Sequence, residues 1–347
     1  MIQKRKRNMK KLPDLNTRID HLYDIINGYT ETQLLITAIE LNVFDYLSSP
    51  QSAETVASRL ETHPVYTQYL LDGLTALSLL DKKNGCYSNS PDTQAVLHSQ
   101  SPAYQGKAFS MMHQMSQTVL RDMGHIVRFG PREGSVDISD EAVWESYARS
   151  MANYERGGTA QQMAARISQI QGFSSFKNML DLGGGPGLYC IAIVAEHHNM
   201  QGVIFDRPAV VKVADEFIAE YEMTDRVTTM AGDYIKDPIG ENYDLIWASA
   251  TLNFARFDLK NMLEKIYHAL KPGGVFVSLA DGLTHERTRP KAYVLGCMSW
   301  MFSGQDLMFN RGEIAETMQR VGFSSVESET VKTAMMPMEL DIARKAL

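Results

Sequence analysis

The chain has 347 residues, 44% hydrophobic and 22% charged, which is the balance of a globular protein with a sizeable core. Lys and Arg total 34 against 41 Asp and Glu, and six of those cations lie in the first twelve residues. The rest of the chain is therefore acidic and poorly suited to a phosphate backbone. No apolar run approaches the roughly 18 residues of a membrane span. Three scattered cysteines, Cys86, Cys190 and Cys297, support neither a disulfide framework nor a cysteine-rich zinc site. The basic start (Lys4-Arg5-Lys6-Arg7) is not followed by the apolar stretch of a secretory signal. Met9 can be the natural start, with 1–8 an upstream addition; this reading is preferred to a nuclear or nucleic-acid-binding tail. We expect a cytoplasmic protein with neither a nucleic-acid nor a membrane partner.

Residues 13–100 read as helices with one short hairpin. Over 30–47, Leu34, Leu35, Ala38, Ile39, Leu41, Val43 and Phe44 fall at helical spacing. A short helix over 52–60 follows, with Ser52 as its N-cap. A third helix over 63–80 aligns Tyr66, Leu70, Leu71, Leu74, Leu77 and Leu80, and Asn84-Gly85 then signals a hairpin turn. Helix, helix, hairpin is the order of a winged helix-turn-helix, which often reads DNA through its second helix. Here that helix has no Lys or Arg, and its only formal charges are Asp72 and Asp81. Pairing with a second subunit accounts for so much apolar helix surface better than DNA does.

Residues 101–175 read as further helix, rich in methionine and broken at Gly157-Gly158. Met111, Met112, Met115 and Met123 can be core filling or an adaptable wall around a flat ligand. From 176 to 347 strand and helix patterns alternate. Strands are expected at 178–182, 202–205, 226–230, 243–248 and 275–280. Helices are expected at 189–196, 210–221, 259–270 and 313–321, and two strand-like segments close the chain. This alternation predicts an α/β domain, a mostly parallel sheet covered on both faces. Such sheets bind ligands beyond the carboxyl ends of their strands.

The strongest motif is Asp181-Leu-Gly-Gly-Gly-Pro-Gly187, directly after the first of these strands. Glycines let a turn approach a ligand backbone-first. The spacing is Gly183-x-Gly185-x-Gly187, and Leu188 stands where a dinucleotide fold wants its third glycine. Asp206 ends the second strand, where an acid can accept hydrogen bonds from both hydroxyls of a ribose. Asp233 and Tyr234 follow the third, where an acid can take an adenine amine and a ring can face the base. Singly, Asp206 can be a helix cap and Asp233 a turn acid. Together, at successive strand ends and without a cluster of cations, they describe a nucleoside lacking phosphates.

At this point the sequence resembles the class I methyltransferases that use S-adenosylmethionine. More narrowly, it resembles the O-methyltransferases of plants and bacterial natural-product pathways. The motifs that carry the resemblance are the glycine loop, Phe205-Asp-Arg-Pro-Ala-Val-Val211, Ala231-Gly-Asp-Tyr234, Tyr243-Asp-Leu245 and His268-Ala-Leu-Lys-Pro-Gly-Gly274. The family implies a Rossmann-like, mostly parallel seven-stranded sheet, preceded by an α-helical winged-helix domain that forms a homodimer. It implies that Gly183 and Gly185 hold the methionine end of the cofactor, Asp206 the ribose, and Asp233 with Tyr234 the adenine. Arg207 joins the same set, as does Ser249, which stands where a lysine is often found near the methionine carboxylate.

Two departures limit the chemistry. Asn253 occupies the place of the family's catalytic histidine, and Met308 that of its second acid. An amide cannot remove a proton at neutral pH. Asn253 can instead hold an acceptor by hydrogen bond, stabilise an oxyanion, or simply cap a helix. His285, after the fifth strand, is the best-placed substitute base. His113 and His125 lie on the middle helices, and no ligand spacing supports a metal. Met115, Tyr147, Met151, Tyr154, Trp300 and Met301 are candidates for an apolar, aromatic acceptor pocket. The function expected is methylation of a planar small molecule. Oxygen is the default target, with nitrogen, sulfur or carbon left open by the lost histidine. The rivals are a fold-alike that binds S-adenosylmethionine without methyl transfer, and a winged-helix regulator that senses it.

Overall fold

The computed structural model describes residues 18–132 and 140–347; the basic run at 4–11 and the Met9 start lie outside them. The chain divides into two compact units, 1–93 and 94–347.

The first unit contains α1 (Asp20–Glu40), β1 (Gln51–Ser52), α2 (Ala53–Leu60), α3 (Pro64–Ala76), β2 (Leu80–Lys83) and β3 (Cys86–Asn89). The expected helix over 30–47 begins ten residues earlier and stops at Glu40. Asn42 takes a left-handed φ of 53°, and a 3-10 turn (Val43–Tyr46) then buries Val43 and Phe44. Their apolar spacing was thus that of a turn, not of a continued helix. Ser52 caps α2 by accepting from the Thr55 N–H at 3.2 Å, as expected. α3 ends at Ala76 rather than 80, because Ser78 is left-handed at φ 61° and Leu80 starts β2. Asn84 and Gly85, at φ 51° and 79°, turn β2 into β3, and β1 pairs on the far side of β3. Tyr23, Ile26 and Tyr29 on α1 and Tyr66 and Tyr69 on α3 each keep more than 60% of their surface exposed. A groove of about 450 Å³ runs between these two helices, lined by Leu34, Leu41, Tyr66 and Leu70.

α4 (Pro91–Leu97) carries the chain into the second unit. There α5 (Gly106–Leu120), α6 (Met123–Phe129), α7 (Glu141–Tyr154) and α8 (Ala160–Ile167) precede the sheet. The alternating part follows as β4 (Asn178–Leu182), α9 (Leu188–Ala195), β5 (Gln201–Asp206), α10 (Pro208–Glu220), β6 (Val227–Ala231) and β7 (Tyr243–Ser249). Then come α11 (Leu259–Ala269), β8 (Leu270–Ala280), α12 (Lys291–Gly296), α13 (Met298–Phe302), α14 (Glu313–Val321), β9 (Ser325–Lys332) and β10 (Pro337–Arg344). The sheet has seven strands in the order β6-β5-β4-β7-β8-β10-β9. The first five are parallel, and β10 runs antiparallel to both neighbours. The Lys271-Pro-Gly-Gly274 stretch was expected only to stop a helix. It is already strand, since Leu270 pairs with Tyr243 as β8 begins.

Burial explains the patterns. α9 (Leu188–Val194) is apolar almost all round and is enclosed on nearly every side. α11 instead buries only Leu259, Met262, Leu263, Ile266 and Ala269, one stripe at helical spacing. One core cluster, with Met163, Ile193, Trp247 and Val277, lies on one face of the sheet. A second, with Ile246, Leu263, Phe276 and Met318, lies on the other. Reversal of strand order between β4 and β7 opens a crevice at the carboxyl edge, where all five parallel strands end.

Candidate active site

Each parallel strand delivers one candidate to that edge. After β4 the chain turns through Gly183, Gly185 and Gly187, at φ 63°, 54° and 79°. Gly187 is needed for packing: a Cβ there would meet Ile204 Cδ1 at 2.3 Å. Gly185 differs, because a Cβ built on it would meet nothing within 4 Å. The loop therefore has open space on the outer side of Gly185. Asp206, at the end of β5, accepts from the Gly185 N–H at 2.8 Å and from the Arg207 N–H at 2.7 Å. Its carboxyl is 9% exposed, and burial pushes its pKa up to about 6. It thus lies against the loop, as a ligand-binding acid would.

The other nucleoside candidates are more exposed. Asp233 accepts from Ile235 N–H at 3.0 Å and pairs with Lys236 at 2.8 Å, which holds its pKa below the usual range. The Tyr234 ring packs on the core, and burial raises its hydroxyl pKa. Ser249 is the half-buried last residue of β7. Arg207 is turned away from the loop. Its Nε donates to Glu141 at 2.7 Å, and its guanidinium lies 5.6 Å from the Trp144 ring centroid. The other Glu141 oxygen accepts from Ala209 N–H at 3.0 Å and so caps α10 from α7.

Asn253 lies in a 3-10 segment (Leu252–Asp258) just past β7 and is 8% exposed. It does not cap a helix. Its Nδ2 donates to Asp281 Oδ1 at 2.6 Å and to the Leu307 carbonyl at 2.9 Å. Both amide hydrogens are thus committed, while Oδ1 is enclosed without a partner. An oxyanion would find no donor on this amide, since both N–H groups are committed. Asp281, directly after β8, is 2% exposed, and burial raises its pKa against hydrogen bonds from Asn253 and Tyr293. The 306–307 stretch that meets Asn253 is pinned by Arg256 and Arg287, which both pair with Asp306 at 3.2 and 2.5 Å.

His285 is exposed and left-handed at φ 50°, and its Nδ1 lies 3.0 Å from Thr284 Oγ1. Among the described residues no group of His, Cys, Asp and Glu has the arrangement of a metal site. No described helix is long and apolar enough to cross a membrane.

The acceptor candidates separate into two sets. Tyr147 and Trp300 belong to one aromatic wall: Trp144 lies 5.9 Å from Tyr147 and 5.3 Å from Phe254, which lies 6.2 Å from Trp300. Phe254 directly follows Asn253. Met115 and Met151 are partly buried on α5 and α7, which pack together, and α13 packs on α5. Burial raises the Tyr147 hydroxyl to about 12. The other two lie outside these ring pairs: burial raises the Tyr154 hydroxyl, and Met301 packs on Leu283, Tyr293 and Met308. Sequence reasoning had not weighed Phe254 and Trp144 for the pocket, nor Glu141 and Asp281 as the groups that hold Arg207 and Asn253. Asp281 had a signal, since it follows its strand as Asp206 follows β5.

The O-methyltransferase domain model matches residues 127–324, and the O-methyltransferase dimerisation domain model matches 23–99. The chain belongs to the O-methyltransferase family. As a member it is a methyltransferase dependent on S-adenosylmethionine. N,N-dimethyltransferase OxyT of Streptomyces rimosus is 28% identical over 74% of this chain and 76% of its own length. The 3-hydroxy-5-methyl-1-naphthoate 3-O-methyltransferase of Streptomyces sahachiroi is 26% identical, over 88% of this chain and 90% of its own. Human N-acetylserotonin methyltransferase, solved in complex with S-adenosylmethionine, has the same fold, with a TM-score of 0.79 and 24% identity over 96% of this chain and all of that one.

Proposed function

We propose that this methyltransferase acts on a planar, largely apolar small molecule held between the carboxyl edge of the sheet and helices α5, α7 and α13. The observation that carries the reading is the Asp206 carboxylate bonded to Gly185 N–H, with open space outside Gly185. In this reading the backbone from Gly183 to Gly185 holds the methionine end of the cofactor, Asp206 the ribose hydroxyls, and Asp233 and Tyr234 the adenine. Ser249 lies beside the methionine end. Arg207 acts at one remove, by fixing the start of α10 through Glu141. Bound S-adenosylmethionine supplies a methyl on a positively charged sulfur, already activated for in-line displacement.

The protein's part is then alignment. The aromatic wall of Trp144, Tyr147, Phe254 and Trp300 orients a flat ring, with Met115 and Met151 beside it. Asn253, held by Asp281 and Leu307, fixes the segment that sets Phe254 in this wall. A general base adds typically 10²–10⁴-fold, and an amide cannot supply it. The acceptor is therefore one that needs little deprotonation: an acidic hydroxyl or a ring or aryl amine. The similarity to both an O- and an N-methyltransferase agrees with this. The pairing surface of a homodimer is assigned to the exposed faces of α1 and α3.

Incubation with methyl-labelled S-adenosylmethionine and a panel of acidic phenols, naphthoates and aryl amines tests the function. Label should pass to a member of the panel with one S-adenosylhomocysteine formed per transfer. Turnover of the cofactor without S-adenosylhomocysteine would favour the non-transferring rival and sink this reading.

A further inference from the structure

We infer that Glu155 is the anionic partner of the α-ammonium group at the amino-acid end of the cofactor. The inference rests on the cofactor reading above and adds to it a residue outside the family motifs. Glu155 opens a π-helical turn (Glu155–Thr159) between α7 and α8, and Gly158 within it stands at φ 112°. A π turn re-aims side chains locally and is frequent at functional sites. Here the side chain it turns inward is a carboxylate, 7% exposed.

The turn packs against α9, whose first residue, Leu188, has a backbone N–H that favours the charged carboxylate. The Glu155 Oε2 is fully enclosed and has no hydrogen-bond partner. The groups that face Glu155 are Asp181 from β4, Tyr189 from α9, and Tyr147 and Tyr154 from α7. None of them is a cation. Arg156, the next residue, turns its guanidinium to Glu220 at 3.2 Å and lies 5.0 Å from the Phe217 ring centroid, while its Nε is enclosed without a partner. Asp181, whose Oδ2 accepts from Cys190 N–H at 3.2 Å, already serves the same helix start. The fold therefore puts two carboxyl groups at the first turn of α9, where one acid suffices as a cap.

An enclosed carboxylate oxygen with no donor is costly to keep, and two neighbouring buried carboxyls cannot both ionise cheaply. Burial raises both, Asp181 to about 8. At neutral pH the pair thus holds a proton in the free protein. Leu188 directly follows the glycine loop assigned to the methionine end, so the cofactor's ammonium arrives beside this pair. One positive charge there favours the fully ionised pair, and the proton leaves to solvent.

Calorimetric titration of the full chain at pH 7, in two buffers of different ionisation enthalpy, counts protons released per ligand bound. The probes are S-adenosylhomocysteine, which has the amino-acid end, and 5′-methylthioadenosine, which lacks it; both have uncharged sulfur. With the unaltered protein, S-adenosylhomocysteine should release a substantial fraction of one proton and 5′-methylthioadenosine essentially none. Glu155→Gln keeps the size of the side chain and removes its charge. It should bind S-adenosylhomocysteine at least about tenfold more weakly, release less proton, and bind 5′-methylthioadenosine as before. Equal proton counts for the two ligands with the unaltered protein would overturn the inference without any variant. So would unchanged affinity in Glu155→Gln, while leaving the cofactor reading intact. Failure of the unaltered protein to bind either ligand would remove the cofactor reading and this inference together.

Discussion

Asn253 has both amide hydrogens tied to Asp281 and Leu307, and so fixes the segment before Phe254. Its replacement by alanine should lower kcat at least about tenfold, the loss of acceptor alignment by the aromatic wall, with the affinity for S-adenosylmethionine unchanged within about twofold. Unchanged turnover would remove this role from Asn253. Asp206→Ala should act on the other term, weakening cofactor binding at least about tenfold by taking a charged acceptor from two ribose hydroxyls. The strand-end positions of Gly185 and Asp206 were legible in the sequence because a glycine turn and a strand-end acid have fixed places relative to their strands. The left-handed turn at 285–287 was not, because spacing does not encode it. Glu155 was invisible for a related reason. In Tyr-Glu-Arg-Gly-Gly it reads as a surface acid, and only the π turn makes it an interior one.

At the scale of the element, the glycine loop separates ligand binding from folding. Alanine at Gly185 carries the cost of a left-handed φ, about 1–2 kcal/mol, but meets no neighbour in the protein. We expect a folded variant whose cofactor affinity falls sharply, since the new methyl enters the space assigned to the ligand. Alanine at Gly187 meets Ile204 at 2.3 Å as well as the strain of φ 79°, so it should unfold at markedly lower temperature. Thermal melts beside calorimetric titration of the two variants would check this; equal effects of both changes on stability would contradict it. The strands and helices themselves were readable to within a few residues, because β4, β7 and β8 are near-continuous apolar runs and α11 has one apolar stripe. The ends of α1 and α3 were not, since left-handed Asn42 and Ser78 stop helices whose apolar spacing continues.

For the whole molecule, the buried acids set a pH dependence. Asp181 and Asp206 have pKa values raised to about 8 and about 6 by burial. An acid whose pKa is higher folded than unfolded keeps its proton longer in the folded state. It imposes no penalty below about pH 4, and it lowers stability as pH rises from there to its folded value. Between pH 6 and 8 the buried pair of Asp181 and Glu155 should lower stability as its proton is lost. The ligand-free protein should therefore melt at lower temperature at pH 8 than at pH 6, and Asp181→Asn should flatten the slope. A melting temperature that rises over this window would contradict the assignment. The exposed faces of α1 and α3 make a second prediction at this scale. Ile26→Glu with Tyr66→Glu should shift the protein from dimer to monomer in sedimentation, and an unchanged species would move the pairing surface elsewhere. The dimerisation role was readable from a cation-free helix, whereas the faces proposed for it rest on the exposure of particular tyrosines.

The central claim is that the carboxyl edge of the sheet, at Gly185 and Asp206, is a site for S-adenosylmethionine. Its most direct test is calorimetric titration of the unaltered protein with S-adenosylmethionine and with S-adenosylhomocysteine. Micromolar binding of both, one per chain and abolished or strongly weakened in Asp206→Ala, is the result expected. Absence of binding by either, or binding indifferent to Asp206, would contradict it.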